Sequence, residues 1–210
     1  MNRKITLLIL PISLLIIFSL STTAAAEREI KAEDININSL EEGQEIIAEK
    51  NVYILYNELE ITGEYARMNS ETGEIFMEKN LEIKSPEYTL AGGNLEGNFN
   101  KEEFVLSEKV KLTGAGLTAE AEIMNYDHSQ QEIFMEDNLY IDYEDLQAEA
   151  DKGDFDLKEE LVILRGEVKG VQDGREFSAD KITVKMESGE INMQGQARLL
   201  ISEESGEGEE

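Results

Sequence analysis

The sequence of 210 residues contains no cysteine and no tryptophan, one histidine and two prolines. The absence of cysteine excludes disulfides, a cysteine nucleophile, cysteine metal ligands and lipid attachment to an N-terminal cysteine. The single histidine, His128, lies in a predicted polar turn, where we expect a solvated side chain. One exposed histidine is a poor basis for a Ser–His–Asp arrangement. The sequence therefore predicts no catalytic residues, and we expect the protein not to be an enzyme.

Basic residues are also scarce, because 19 lysines and arginines stand against 46 aspartates and glutamates, for a net charge of −27. Such a surface repels nucleic acids and anionic bilayers, so neither is an expected partner. Asp151, Asp154 and Asp156 lack the spacing of a calcium loop and are expected on a solvated face. Residues 114–119 match a glycine-rich dinucleotide motif, but a strand follows them where a helix is required, which favours a turn. We predict no metal and no cofactor.

The N-terminus has the three parts of a secretory signal peptide. Arg3 and Lys4 supply positive charge, residues 5–20 are largely apolar, and small residues lead to Ala26. We expect export and cleavage after Ala26, so that residues 1–26 are removed. An uncleaved inner-membrane anchor is the alternative, although the apolar run is short for a spanning helix. Residues 27–43 form a polar lead-in, and residues 203–210 form an acidic tail that we expect to be disordered.

A repeat of about 29 residues runs through most of the chain. The motif at residues 45–54 returns at 74–83, 103–112 and 132–141, and looser copies begin at Glu160 and Glu190. A second apolar segment fills the other half of each unit. Repetition of this length is typical of stacked supersecondary units, each of which buries its apolar face against a neighbour. We place the repeat domain at residues 44–202.

Inside each unit, apolar and polar residues alternate with a period of two, which is the pattern of a β-strand with one buried face. Polar and glycine-containing segments between the strands indicate turns. Two strands in each of six units predict about 11 or 12 short antiparallel strands. The predicted fold class is all-β, a repetitive jelly-roll or sandwich with an apolar slot between two facing sheets.

Each copy of the motif has a polar residue at its central inward position. These residues are Lys50, Lys79, Glu108, Asp137 and Arg165. Burying a column of charges would be costly. We therefore predict a β-bulge or a strand break at this position, which lets the side chains reach water.

The remaining inward positions of the motif are apolar and recur in columns along the repeat. Small residues of the second strand, such as Gly92 and Ala121, face them and could leave an elongated slot for acyl chains. Ordinary core packing is the alternative for each position. The predicted lipid-binding residues are Ile75, Met77, Leu81, Phe104, Leu106, Val110, Ile133, Met135, Leu139 and Ile163.

Taken together, these features resemble the LptA/OstA-like family of periplasmic lipopolysaccharide-transport proteins. The resemblance depends on an Asn-hydrophobic step that opens a strand, on strands rich in small residues, and on a Tyr-Asp turn. The matching segments are Asn51-Val52, Asn80-Leu81, Asn138-Leu139, residues 117–121, residues 146–150 and Tyr126-Asp127. The match covers most of residues 44–202. In the family's commoner form a glycine precedes the step, and here only Gly166 approximates it.

The resemblance implies a non-enzymatic periplasmic carrier of lipopolysaccharide, whose jelly-roll shields the acyl chains of lipid A between its sheets. It also implies a bridge from an inner-membrane export complex to an outer-membrane assembly protein, built from copies joined head to tail. Exposed sheet edges suit such joining, and we predict the edges at residues 46–55 and 191–201. Two alternatives stay open: a membrane-anchored partner of the exporter with the same fold, and a ligand-free structural β-repeat protein of the envelope.

Lipid A is anionic and so is this chain, which sets a condition on binding. Burial of acyl chains, at roughly 0.8 kcal/mol per CH2 group, would have to supply most of the affinity. Divalent cations or basic residues at the rim of the slot would offset the repulsion. The candidate rim residues are Lys79, Lys109, Lys111, Arg165 and Lys169.

Overall fold

The structure of the protein is a computed structural model that describes residues 28–200. The predicted signal peptide at residues 1–26 and the predicted acidic tail at residues 203–210 lie outside the described residues. Between residues 28 and 200 the regular structure is entirely β, so this part of the chain contains no helix of membrane-spanning length and hydropathy.

Fourteen antiparallel strands in residues 28–200 form one continuous, unclosed sheet. From β3 to β13 each strand pairs with the next one along the chain. The strands are β1 (Arg28–Lys31), β2 (Asp34–Ser39), β3 (Gln44–Tyr56), β4 (Leu59–Asn69), β5 (Glu74–Lys84), β6 (Tyr88–Asn98), β7 (Glu103–Gly114), β8 (Leu117–Asp127), β9 (Glu132–Tyr143), β10 (Leu146–Asp156), β11 (Leu161–Gln172), β12 (Arg175–Lys185), β13 (Glu190–Gln194) and β14 (Arg198–Leu199). The all-β prediction is confirmed, and the lead-in contributes β1 and β2, which the repeat did not predict.

A bulge divides each of the strands β3, β5, β7, β9 and β11 near its middle. Two residues of the bulged strand, both with positive φ, lie opposite a single residue of the neighbouring strand. The bulged pairs are Lys50-Asn51, Lys79-Asn80, Glu108-Lys109, Asp137-Asn138 and Gly166-Glu167. The predicted bulge is therefore confirmed in four copies, and in the fifth it lies one residue beyond Arg165.

The five bulges lie side by side and form a fold line across the sheet. We call the part that ends in the turns after β3, β5, β7, β9 and β11 the near half, and these turns the near turns. The part that ends in the turns after β4, β6, β8, β10 and β12 is the far half, with the far turns. Residues 115–116 form one of the near turns; both have positive φ, as a two-residue hairpin turn requires. The sequence favoured a turn within residues 114–119, and the structure confirms one at residues 115–116, between β7 and β8.

Beside each bulge a large side chain pairs with a small one. The pairs are Val52 with Gly63, Leu81 with Gly92, Val110 with Ala121, Leu139 with Ala150, and Val168 with Ala179. At a fold line the inner face of a sheet has the least room, because the two halves converge there. A small residue on one strand leaves space for the larger side chain on the other and so permits the bend.

The sheet folds along this line so that its two halves pack against each other. Inward side chains of both halves are buried, for example Leu90 in the near half and Leu95 in the far half, each at 0% exposure. Near and far turns also meet, since the rings of Tyr56 and Phe99 lie 4.7 Å apart between centroids. The two facing layers expected from the sequence are thus the two halves of one hydrogen-bonded sheet.

Each edge of the sheet consists of two short strands, one on each half. At the N-terminal edge β1 pairs with residues 53–56 and β2 with residues 44–49. At the C-terminal edge β13 pairs with residues 181–185 and β14 with residues 177–178. The prediction that residues 46–55 form an edge is wrong, because β1 and β2 cover that strand. The C-terminal edge lies where the sequence predicted it.

Candidate functional site

The candidate site is the interior, which we define as the space between the near half and the far half. Forty hydrophobic side chains at 0–7% exposure form one cluster there, and no polar or charged side chain between residues 28 and 200 is buried. The interior extends to both edges of the sheet. Ile30 and Ile46 are partly buried at the N-terminal edge, and Ile191 and Met193 at the C-terminal edge. An apolar column thus runs across the whole sheet, perpendicular to its strands.

Nine of the ten predicted lipid-binding residues lie in this interior. They are Ile75, Met77, Leu81, Phe104, Leu106, Val110, Ile133, Met135 and Leu139, each 0–4% exposed. They pack against one another and against the small residues of the fold line, so their side chains occupy the interior. Acyl chains would have to separate the two halves before they could replace these contacts, and lipid binding by these residues stays a prediction.

The tenth residue, Ile163, points to the other face of the sheet. In the far half of β11 the buried residues are Val162 and Leu164, while Leu161 and Ile163 are partly exposed on the outside. Strand pairing agrees, since Val162 lies opposite the buried Phe155. The predicted inward placement of Ile163 is therefore wrong by one residue.

The near turns and far turns meet along a line that we call the seam, and tyrosine hydroxyls bond across it. Tyr56 donates to the backbone carbonyl of Phe99 at 2.8 Å, and its hydroxyl also lies 3.0 Å from a carboxylate oxygen of Glu102. Tyr143 donates to the backbone carbonyl of Met186 at 2.7 Å. Burial, and then the bond to Glu102, raise the pKa of Tyr56. These bonds close the interior on the side opposite the fold line.

Between these two bonds, a chain of three side chains crosses the seam. The hydroxyl of Tyr88 in the near half is hydrogen-bonded to that of Tyr126 in the far half, and the Tyr126 hydroxyl lies 2.5 Å from Nδ1 of His128. Burial raises the pKa of both tyrosines, and for Tyr126 the bond to Tyr88 adds to the rise. His128 is half-buried and bonded, so the expectation of a solvated histidine is wrong.

The five basic residues proposed for the rim lie on the outer face or on the fold line, away from the seam. Four of them form ion pairs with carboxylates of this chain: Lys79 with Glu78, Lys111 with Glu120, Arg165 with Asp154, and Lys169 with Glu167. Lys109 is the second residue of a bulge and is exposed. Local cations at these positions therefore neutralise the acidic surface of the protein and do not line the interior.

Residues 28–200 contain no group of three histidine, aspartate or glutamate side chains placed to hold a metal ion. Asp151 is exposed at the fold line, and Asp156 accepts two backbone N–H bonds from Lys158 and Glu159 in a far turn. The seam tyrosines are the functional candidates that the sequence analysis missed. Tyr56 and Tyr143 occupy equivalent positions three repeat units apart. This recurrence of tyrosine was the signal in the sequence that could have identified them.

Comparison with known proteins bears on the C-terminal part of the repeat. Residues 136–190 match the family described as LptA/(LptD N-terminal domain) LPS transport protein. The matched segment extends from β9 to the start of β13. The resemblance to the LptA/OstA-like family is thereby confirmed.

One solved structure with detectable similarity is that of LptH, the LptA homologous periplasmic component of the conserved lipopolysaccharide transport device from Pseudomonas aeruginosa. The sequences are 11% identical, the alignment covers 69% of this chain and 95% of that chain, and the TM-score is 0.33. No curated protein sequence matches the chain significantly.

Proposed function

We propose that this protein is a non-enzymatic periplasmic carrier and bridge subunit that moves lipopolysaccharide from the inner to the outer membrane. The observation that carries the proposal is the interior, a continuous apolar column between two halves of one sheet that extends to both edges. The family description for residues 136–190, which names LPS transport, supports it. The acyl chains of lipid A are the part of the ligand that such a column suits.

Binding in this proposal requires the two halves to move apart. The interior side chains make apolar contacts that acyl chains can replace in kind, at roughly 0.8 kcal/mol per buried CH2 group. The polar contacts that must break lie at the seam, where Tyr56 and Tyr143 each make a bond to a backbone carbonyl. The fold line acts as the hinge, and the seam is the side on which a glycolipid enters.

The partners in this proposal are lipopolysaccharide, an inner-membrane export complex, an outer-membrane assembly protein and further copies of the chain. Both edges carry short strands with unpaired backbone groups, and Ile35 and Ile37 of β2 are 45% and 59% exposed. Pairing of β2 in one copy with β13 in the next would continue the sheet and the apolar column. Head-to-tail assembly would then give one uninterrupted interior.

Photo-crosslinking to purified lipopolysaccharide tests the carrier function. A photoreactive residue is placed at Phe104, Met135 or Leu164, all inward, and at Glu136 or Ile163 as outward controls. Leu164 and Ile163 form a matched pair, because they are neighbours in β11 and face opposite sides of the sheet. We expect adducts at the three inward positions only. Adducts at both members of the pair, or at neither in a folded protein, would contradict the proposal.

The filled interior favours a second candidate, a ligand-free structural β-repeat protein of the envelope. The same experiment separates the two, because a structural protein gives no inward adduct. The membrane-anchored partner of the exporter is the other alternative with this fold. Sequencing the N-terminus of the exported protein distinguishes it from the soluble carrier, since cleavage after Ala26 leaves Glu27 as the first residue.

The absence of cysteine makes the assembly simple to test. Asn36→Cys in β2 and Asn192→Cys in β13, which both face outward, are made as separate single variants and mixed with a short bis-maleimide. We expect crosslinked pairs in the mixture, because the proposed joint brings the two edges together. Val171→Cys, on the outer face of β11, is the control. Equal crosslinking of the control would show that random encounter produces the product.

A further inference from the structure

A row of apolar side chains crosses the outer face of the far half. Its members recur every 29 residues on alternate strands: Ile47, Phe76, Val105, Phe134 and Ile163. They point away from the interior, because their chain neighbours on both sides face it. Val105 is 41% exposed, and the other four are partly exposed. None of these five side chains belongs to the core. The exposed face of an antiparallel sheet usually carries polar residues, so an apolar row at this place is unexpected.

Part of this row forms the floor of a groove of about 710 Å³. The groove extends from Glu96 in β6 to Arg165 in β11, with Val105, Phe134 and Ile163 along it. Six strands spaced by about 4.8 Å give it a length of roughly 24 Å, which matches an α-helix of about 16 residues. The three apolar residues are on alternate strands and are therefore roughly 9.6 Å apart, close to the 10.5 Å between positions i and i+7 of a helix.

The groove is strongly acidic. Six carboxylates and two cations line it, and one of these cations, Arg165, is already paired with Asp154. Four of the carboxylates are direct cross-strand neighbours at the ends of β7 to β10: Glu103, Asp127, Glu132 and Asp156. Adjacent like charges destabilise a sheet, so a cationic partner placed along this row would relieve their repulsion.

Two of these four carboxylates accept hydrogen bonds that hold the far turns, and the other two have no such bonds among residues 28–200. Asp127 accepts bonds from Ser129 and from the backbone N–H of Gln130, which lower its pKa, and Asp156 accepts comparable bonds in the next far turn. Glu103 and Glu132 are exposed, and neither forms an ion pair with any residue from 28 to 200. Their charges are available to a partner.

We propose that this outer groove docks a basic amphipathic α-helix of a partner protein. The helix lies across β6 to β11, with apolar residues at i, i+7 and i+14 over Val105, Phe134 and Ile163. Lysines or arginines beside that stripe face Glu103 and Glu132. The proposal is independent of the interior and of the lipid, since the groove is on the opposite face of the sheet.

The test uses a fluorescein-labelled helical peptide of 21 residues, with leucine at i, i+7 and i+14 and lysines beside that stripe. A peptide of the same composition with its leucines distributed around the helix is the peptide control. We expect micromolar binding of the striped peptide at physiological salt, and binding about tenfold weaker to Phe134→Ser and to the Glu103→Gln/Glu132→Gln double variant.

The near half supplies matched control variants. Tyr140 lies on its outer face between Glu120 and Glu149. Tyr140→Ser and Glu120→Gln/Glu149→Gln make the same changes of polarity and net charge outside the groove, and we expect them to change affinity less than twofold. Circular dichroism checks the fold of every variant.

Four results would overturn the proposal. One is the absence of binding to the folded protein, and another is equal weakening by the two charge variants, which indicates general attraction to an acidic surface. The third is self-association in sedimentation that Phe134→Ser abolishes, which assigns the groove to a second copy. Equal binding of the two peptides likewise argues against a stripe-specific site.

Discussion

Tyr56 donates its hydroxyl proton to the backbone carbonyl of Phe99, 43 residues further along the chain, and Tyr143 makes the equivalent bond to Met186 over the same separation. Forty-three residues are about one and a half repeat units. A near turn therefore meets the far turn of the following unit, and each seam bond ties two consecutive units together. Opening the seam at one point therefore loosens the contact between neighbouring units as well.

Replacing both tyrosines by phenylalanine should loosen the seam without changing the apolar packing. Each substitution leaves a carbonyl that has lost its partner, at a cost of roughly 1–3 kcal/mol, nearer the upper value for the buried Phe99 site. We expect a lower free energy of unfolding in urea for Tyr56→Phe and Tyr143→Phe. Tyr140→Phe, on the outer face, should change it by less than about 0.5 kcal/mol. Equal effects of all three substitutions would exclude a special contribution of the seam.

The seam should also open at alkaline pH. Burial raises the pKa of Tyr56, Tyr88 and Tyr126 above the ordinary value of 10.0. Above pH 10 the unfolded chain releases these protons while the folded chain keeps them, so the free energy of unfolding falls as pH rises. The slope is at most about 1.4 kcal/mol per pH unit for each tyrosine.

Urea unfolding from pH 8 to pH 11.5 measures this effect. The Tyr88→Phe/Tyr126→Phe double variant has two fewer titrating groups in the seam, so its stability should fall less steeply above pH 10. The general repulsion of an acidic protein acts on both proteins alike and cancels in the comparison. Parallel slopes would mean that other groups cause the alkaline instability.

Removing a glycine from one bulge and introducing a glycine at the equivalent position of another should have opposite effects on stability. Gly166 has φ +80°, where an L side chain is strained, and a Cβ there would overlap the Asp151 side chain, so Gly166→Ala should destabilise the fold by about 2 kcal/mol. Lys79 has φ 63° at the equivalent position, so Lys79→Gly should relieve about 1–2 kcal/mol of backbone strain in the folded protein. The greater freedom of glycine in the unfolded chain costs about 0.5–1 kcal/mol, which is less than this gain. Thermal unfolding should therefore give a lower Tm for the first variant and an equal or higher Tm for the second.

The bulge column also explains what the sequence could reveal. A polar residue at a position that alternation assigns to the interior is a conflict, and a bulge resolves it, so Lys79 and Asp137 predicted the feature without any structural information. The glycine of the family's commoner motif fits the same account, because Gly166 has the left-handed φ that glycine adopts at least cost. The folding of one sheet along that line was not predictable from alternation, which is identical for one folded sheet and two separate ones.

Strand β11 shows why one predicted site residue failed. Leu161, Val162, Ile163 and Leu164 are all apolar, so alternation is lost in this strand and the motif appeared to begin at Glu160. Glu160 belongs to the turn and has φ 49°. The spacing of 29 residues from Ile133 leads to Val162, which is the buried residue. When both faces of a strand are apolar, the period of the repeat decides the register and local alternation does not.

If the protein carries lipopolysaccharide as proposed, added salt should strengthen lipid binding. Protein and lipid A are both anionic, and the basic residues proposed for the rim lie on the outer face or on the fold line. Between residues 28 and 200 the interior therefore offers no cation to the ligand. Added NaCl screens the repulsion and strengthens apolar burial, and magnesium can bridge the carboxylates and phosphates. Affinity for lipopolysaccharide should therefore rise with either salt. A zwitterionic phospholipid also binds through acyl burial but has no net charge, so its affinity should change much less with salt. A steady loss of lipopolysaccharide binding as NaCl increases would instead mean that attraction between opposite charges dominates, and the acyl-burial account would fail.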